Sequence, residues 1–449
     1  MPKPLLSFYG DDFTGSSAVM EVLTFAGVPT VMFLEPPTPQ DLKMFPGIQA
    51  FGIAGIARSQ DPPWMDDTLP PAFAALAEFG APVAHYKVCS TFDSSPERGS
   101  IGKAFEIGAP MLGGTWHPLV VGAPAINRYQ VFGNLFAGVD GENFRLDRHP
   151  IMKRHPVTPM DESDLRVHLG RQTDNPIGLL DFVAMKSGQS EIVIERAQDK
   201  GTPIIAIDMF DDETMAEAGR LIWNQGHART FAIGSQGVEY ALVAHWREAG
   251  LLPAEFEPAE LSPVDQVFGV SGSCSAINAR QIETAEAHGF VVVDLDAARA
   301  VDAQEWASEL ARAKTQAFEL LNKGRDVIVT TARGPDDPAL ARTNAAIKSS
   351  GIPAETINEM LGRALGDLVA AVRREHGIRR VAVAGGDTSG HATTALKAKA
   401  LSALSPLAPG APLCQVHSAD PDIDGLEITL KGGQMGTPDF FVQVKGANP

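Results

Sequence analysis

Short apolar runs alternate with longer stretches in which apolar residues recur every third or fourth position, the pattern of strands separated by helices. Residues 5–9 form the first run and pass directly into Gly10-Asp11-Asp12-Phe13-Thr14-Gly15. Helical spacing follows over 16–25, Gly27 ends it, and 29–34 reads as the second strand. Further strands are expected at 50–56, 83–88, 119–122, 177–180, 203–208 and 230–233. Helices are expected at 70–80, 99–108, 190–200, 213–225 and 238–248, with another from Leu165 capped by Asp161 or Ser163. Residues 130–145 carry spaced glycines and read as hairpin-like.

Residues 251–264 break the pattern. They hold Pro253, Pro258 and Pro263 without apolar periodicity and read as a linker. The alternation then resumes, with strands at 267–270, 291–294, 326–330 and 380–384 and a helix at 391–400. Residues 426–446 read as two apolar strands around a glycine loop. The expected fold is therefore α/β: two domains, 1–250 and 265–449, each with a mostly parallel sheet, and a ligand cleft between them. In such sheets ligands bind at the C-terminal ends of the strands.

Composition narrows the function. At 449 residues the chain exceeds one ordinary core. A net charge of −18 disfavours nucleic-acid and anionic membrane partners, which require a basic field. Small anionic ligands remain compatible, since backbone amides and a few local cations can hold them. No apolar run approaches the roughly 18 residues of a membrane span, and the first residues lack the layout of a signal peptide, so a cytoplasmic location is expected. Cys89, Cys274 and Cys414 are scattered and form neither a metal spacing nor a disulfide framework.

Three small or glycine-rich turns stand out in the second domain: Ser271-Gly272-Ser273-Cys274-Ser275, Gly385-Gly386-Asp387-Thr388-Ser389-Gly390 and Lys431-Gly432-Gly433-Gln434-Met435-Gly436. Glycines let backbone N–H groups approach phosphate oxygens, and a helix N-terminus adds partial positive charge. None matches the Walker or dinucleotide pattern, and a plain βα turn with Ser389 capping its helix is the alternative at the second. Asp387 is the candidate contact to a metal or its water shell. In the first domain, Asp11 and Asp12 suit a general base or hydrogen bonds to sugar hydroxyls. The alternative makes Asp12 a helix cap and leaves Asp11 solvated. Lys87, at the end of its strand, suits a substrate carboxylate or is a surface lysine. Arg128 and Arg154 are further anion candidates. His117, His149 and His168 lack partners at metal-binding spacing and read as surface or loop residues.

The segment Tyr9-Gly10-Asp11-Asp12-Phe13-Thr14-Gly15 resembles the N-terminal signature of the four-carbon acid sugar kinases. The stretch 154–164, the 270–275 and 385–389 turns and the 431–436 loop resemble further segments of that family, in the same order along nearly the whole chain. The resemblance implies an acid-sugar-binding first domain and an ATP-binding second domain, with γ-phosphoryl transfer from Mg²⁺-ATP to a hydroxyl of threonate-, erythronate- or 3-oxo-tetronate-like acids. It implies ATP contacts at Ser271, Gly272, Ser273, Gly385, Gly386, Asp387, Thr388, Gly432, Gly433, Gln434 and Gly436. It implies substrate contacts at Asp11, Asp12, Lys87, Ser90 and Thr91. One departure matters. Where family members commonly read Lys-x-Asp-Ser-Thr-Leu-Arg, this chain reads Lys87-Val88-Cys89-Ser90-Thr91-Phe92-Asp93. An acid replaces the arginine that would pair a substrate carboxylate. Arg98 is a nearby substitute, and the variant loop resembles a branch acting on branched acids such as 3-oxo-isoapionate.

The expected function is a sugar-acid kinase using ATP and Mg²⁺, with Asp12, then Asp11, nearest the attacked hydroxyl. A cytosolic sugar-acid sensor and a dehydrogenase with an atypical NAD site are the rivals, and self-association is left open.

Overall fold

The computed structural model describes residues 3–139, 141–155, 157–223 and 229–446, with Asp387 described through its backbone alone. Two compact units divide the chain, Met1–Glu257 and Pro258–Pro449.

The first unit contains β1 (Leu6–Gly10), β2 (Thr30–Phe33), β3 (Ala50–Ala54), β4 (Val83–Lys87), β5 (His117–Val120), β6 (Arg128–Val131), β7 (Asn134–Val139), β8 (Glu142–Arg145), β9 (Ile177–Leu180), β10 (Ile204–Ile207) and β11 (Thr230–Gly234). Eight of them pair in the order β2-β3-β1-β4-β11-β5-β10-β9. Every pairing in that series is parallel. Parallel sheets are covered on both faces, so their strands are near-continuously apolar; β1, β2, β4, β5, β10 and β11 are buried end to end. β6, β7 and β8 form a separate antiparallel sheet. The hairpin-like reading of 130–145 thus becomes three strands, since the chain turns twice, at Phe132-Gly133 and near Gly141.

The second unit contains β12 (Val267–Ser271), β13 (Val291–Asp294), β14 (Val327–Thr330), β15 (Arg380–Ala384), β16 (Ala398–Ala408), β17 (Ala411–Ser418) and β18 (Glu427–Lys431). They run in the order β13-β14-β12-β15-β18-β17-β16, parallel from β13 to β18. β17 then pairs antiparallel with β18 and with β16. Val267, Ile328, Ala382, Ala384, Phe440 and Phe441 belong to one buried cluster on this sheet.

Several elements differ from the sequence expectation. The helix expected at 70–80 runs from Pro62 to Phe79, because Asp61 caps it and Pro62 and Pro63 occupy its first turn, where no N–H is needed. Pro70 and Pro71 lie inside it, held by the buried Met65, Leu69, Phe73 and Leu76. Asp164 caps the helix Leu165–Leu169 through Arg166 N at 3.0 Å. Asp161 pairs with Arg171 instead, and Ser163 donates to Asn134. The helix expected at 391–400 is Gly386–Ala395, opening inside the glycine turn. Ser389 does not cap it: its hydroxyl donates back to Gly385 O at 2.7 Å. Residues from Ala398 join β16, whose pairing with β17 outweighs local helical spacing. The last apolar run is the helix Phe440–Val444 rather than a strand, since its phenylalanines are drawn into the core cluster. The helix expected at 213–225 spans Asp212–Trp223, and residues 224 and 225 lie outside the described residues.

Candidate functional site

In the first unit the chain leaves β1 toward β2 on one side, while from β4 it proceeds toward β5 on the other. That reversal makes a crevice at the C-terminal ends of β1 and β4. Register brings Gly10 beside Lys87 and Ala54, and Lys87 beside Gly234. The acidic loop and the Lys87–Ser95 loop therefore flank the crevice.

Asp11 is buried, with Arg58 donating to it from Nη2 (2.7 Å) and Nε (3.2 Å). The same Nη2 reaches Asp12 Oδ1 at 2.7 Å. Burial pushes the Asp11 carboxyl up, Arg58 pulls it back, and the Asp12 charge adds to the rise. Burial opposes the charge on Arg58, but Asp11, Cys89 and Asp12 together outweigh it and raise the pKa of the guanidinium. Asp12 also caps the helix Phe13–Thr24, accepting from Gly15 N at 2.9 Å through Oδ1. The cap and the candidate base are thus the same residue, because Oδ2 makes no hydrogen bond among the described residues and the side chain is partly exposed. Lys87 is buried and donates to Val88 O at 2.7 Å, so it is not a surface lysine. A Cβ on Gly15 would lie 2.4 Å from both Asp12 Oδ1 and Lys87 Nζ; glycine lets the two charges flank one point of the backbone.

The loop after β4 carries Cys89, Ser90, Thr91 and Asp93. Thr91 donates to Asp93 Oδ1 at 2.6 Å, and Cys89 Sγ lies 3.0 Å from Thr91 Oγ1. Burial and then Asp93 push the Cys89 thiol up, against Arg58 and Lys87. Arg128, at the start of β6, lies within Coulombic range of Cys89 and Asp93; burial lowers its pKa. Arg98 is exposed and donates to Ser59 O at 2.9 Å, directed at the turn that carries Arg58. Arg154 is exposed at the end of the turn Met152–Arg154, with no hydrogen bond tying it to the acidic loop. His117, His149 and His168 are buried, which corrects their reading as surface residues.

In the second unit, register aligns Ser271 with Ala384 and Ala384 with Lys431, so the three glycine-rich turns leave adjacent strands at one level. The chain leaves β12 toward β13 and β15 toward β16, on opposite sides, placing a second switch point between the first two turns. Hydrogen bonds tie the turns together: Gly272 N to Ala384 O (3.0 Å), Gly385 N to Lys431 O (2.9 Å), and Ser275 Oγ to Gly433 O. Ser271 Oγ accepts from Asn278 Nδ2 at 3.0 Å and from Ser273 N at 3.3 Å. Gly385 adopts φ +122°, and a Cβ there would press on Thr388 Oγ1 at 2.8 Å. Gly386 faces open space at ordinary φ, so its side of the helix N-terminus is free for a ligand oxygen. Gln434 is exposed at the tip of the third loop, and Gly436 takes φ +84°. Lys431 is fully buried beside Phe440, its Nζ has no hydrogen-bond partner among the described residues, and burial lowers its pKa to about 8.

The two carboxylates, Lys87 and the three turns singled out in the sequence lie at the C-terminal ends of parallel strands. Sequence reasoning missed Arg58, the residue that joins the two acids. The position after β3, at the same sheet edge, was the available signal. It also missed Asn278, which looks like an ordinary helix residue along the chain.

A sugar-binding N-terminal domain family matches residues 6–242, and a nucleotide-binding C-terminal domain family matches residues 268–441. The chain is 48% identical to a 3-oxo-isoapionate kinase of Paraburkholderia graminis, over 98% of this chain and 94% of that protein. It is 28% identical to a 3-oxo-tetronate kinase of Methylobacterium radiotolerans, over 97% of each. In fold it matches a Salmonella typhimurium LT2 crystal structure described as a putative tRNA synthase, with TM-score 0.79, 23% identity and 98% of each chain covered.

Proposed function

The chain belongs to the four-carbon acid sugar kinase family, which joins a sugar-binding N-terminal domain to a nucleotide-binding C-terminal domain, and from that premise we propose that its acceptor is a branched 3-oxo sugar acid of the 3-oxo-isoapionate type. As an ATP-dependent kinase of small sugar acids it transfers the γ-phosphoryl group to a substrate hydroxyl. The observation that carries the choice of acid is the 48% identity to a 3-oxo-isoapionate kinase across almost the full length, against 28% for a 3-oxo-tetronate kinase.

The site chemistry supports this reading. Asp12 Oδ2 is the oxygen proposed to accept the hydroxyl proton, while Oδ1 stays on Gly15 N and Arg58. Arg58 holds both acids at one separation, and its positive charge limits their mutual repulsion. Lys87, between that pair and the substrate loop, supplies charge toward an anionic acid. In the nucleotide unit, the Ser271–Ser275 turn and the open N-terminus at Gly386 are the proposed phosphate cradle. Mg²⁺ bound there would neutralise phosphate charge. Among the described residues no cluster of three acidic, histidine or cysteine groups could hold a metal by itself, and Asp387 is the proposed protein partner of the ion.

Purified enzyme with Mg-ATP should release ADP with 3-oxo-isoapionate faster than with 3-oxo-tetronate, and should reduce no NAD in the presence of either acid. Tight acid binding with no ADP release from any acid would convert the reading to a sensor. Faster release with the linear acid would overturn the branched-substrate assignment.

A further inference from the structure

Asp93 and Arg128 sit within Coulombic range of one another, yet no ion pair joins them among the described residues. Each is left incomplete on one side. Asp93 is 8% exposed; its Oδ1 accepts from Thr91 Oγ1, and its Oδ2 makes no hydrogen bond. Arg128 donates only through Nη1, to the backbone carbonyls of Ile126 (3.2 Å), Asn127 (3.0 Å) and Gly138 (3.3 Å). Its Nε is buried without any acceptor. The buried Arg128 Nε is costly unless something completes it, and Asp93 Oδ2 is not among the buried unpaired atoms, which leaves it open to a ligand donor.

The loop holding Asp93 is built to stay still. Phe92 is fully buried at φ +57°, a conformation a bulky residue keeps only when its surroundings over-determine it. Ser94 Oγ donates to Phe92 O at 3.0 Å, accepts from Gln172 Nε2 at 2.8 Å and lies 3.0 Å from His168 Nε2. Gln172 in turn accepts from Ile101 N at 2.8 Å, tying the loop to the helix Ile101–Leu112. An oxygen held this firmly discriminates between ligands without being reordered by them.

We infer that this pair selects the substrate: Arg128 receives the carboxylate of the acid, and Asp93 accepts a hydrogen bond from a second hydroxyl, the branch hydroxyl of a branched acid. The inference rests on the sugar-acid kinase reading above. A carboxylate at position 93 repels a substrate carboxylate and can be answered only by a donor, whereas the Arg128 fork answers an anion. An acid lacking the branch hydroxyl leaves Asp93 Oδ2 desolvated and unpaired, which is how a polar site rejects an analogue missing one group.

The test uses the full-length enzyme with a branched 3-oxo acid carrying a hydroxymethyl group and with linear 3-oxo-tetronate. Both kcat/KM at saturating Mg-ATP and calorimetric affinity are measured. Asp93→Asn should lower kcat/KM for the branched acid by about 10- to 100-fold while the linear acid changes by less than about threefold. Asp93→Ser, smaller and also uncharged, should shift the ratio in the same direction and serves if the first variant folds poorly. Arg128→Met should weaken both acids alike and leave KM for ATP unchanged. An equal loss for both acids in both Asp93 variants, or none, overturns the inference. A wild type that binds the branched acid more tightly than the linear one but releases no ADP overturns the kinase reading alone, because the calorimetric ratio still reads the Asp93 contact.

Discussion

At the scale of single residues, the acid pair divides its labour by burial. Asp11 is enclosed and spends both oxygens on Arg58, whereas Asp12 keeps one oxygen open. Asp12→Asn should therefore lower kcat by about 10²–10⁴-fold with little change in KM. Arg58→Met, which leaves the buried Asp11 without its partner, should cost about 3–5 kcal/mol of stability. Steady-state kinetics and thermal unfolding on the two variants read these effects separately; an Asp12→Asn enzyme with wild-type kcat would remove Asp12 from the chemistry. Lys431 supports a pH prediction. Burial lowers its pKa to about 8, below the ordinary lysine value of about 10.4. The unfolded chain then binds the extra proton between those values, so this residue destabilises the fold fully below pH ~8 and progressively less up to pH ~10. Lys431→Met should melt at a higher temperature than the wild type at pH 7, and the gap should close as pH rises toward 10. A gap independent of pH between ~7 and ~10 would mean that the folded and unfolded chains bind this proton alike, so that the fold does not lower the pKa of the amine.

At the scale of elements, each candidate ligand site is a strand end followed by a turn, and the turns differ in what their glycines do. Gly385 is required by its backbone, at φ +122° and against Thr388. Gly386 meets nothing within 4 Å. Gly385→Ala should thus lose about 1–2 kcal/mol of stability. Gly386→Val should leave the melting temperature close to wild type while weakening ATP roughly tenfold or more, about 1.4 kcal/mol, and sparing the sugar acid. Equal losses of both ligands in Gly386→Val would return that turn to a purely structural role. The same contrast explains a misplaced helix. The spacing of apolar residues after His391 resembles a helix, but the glycine turn itself is already helical, and Ala398 onward is recruited by β17.

At the scale of the whole molecule, the chain is two α/β units with the division at Glu257 and Pro258, inside the proline-punctuated 251–264 stretch. Residues 253–262 there have no helix or strand and are mostly exposed, with Glu255, Glu257 and Glu260 among them. Limited digestion with a glutamate-specific protease should nick this segment first and yield two stable fragments divided there. Initial cleavage inside either unit would contradict the division. Among the described residues, no helix is long and apolar enough to cross a membrane.

Local chemistry was enough to find the parts. Apolar runs bounded by glycine, proline and acidic turns marked most strands, because a parallel strand buried on both faces is near-continuously apolar. The Asp11-Asp12 loop, Lys87 and the three small-residue turns were legible for the same reason: each follows such a strand, where backbone is exposed for a ligand. Tertiary structure alone decided which parts meet. Strand order brings Arg58 from the end of β3 onto two acids at the end of β1, a contact spanning 46 and 47 positions that no local pattern encodes. It buries Lys431 without a hydrogen-bond partner among the described residues, and among them leaves Asp93 and Arg128 near each other but unjoined. Burial and pairing depend on neighbours remote in sequence, and they set the charge state and free valences of a side chain, so the chain shows which groups exist and the fold shows which of them remain unsatisfied.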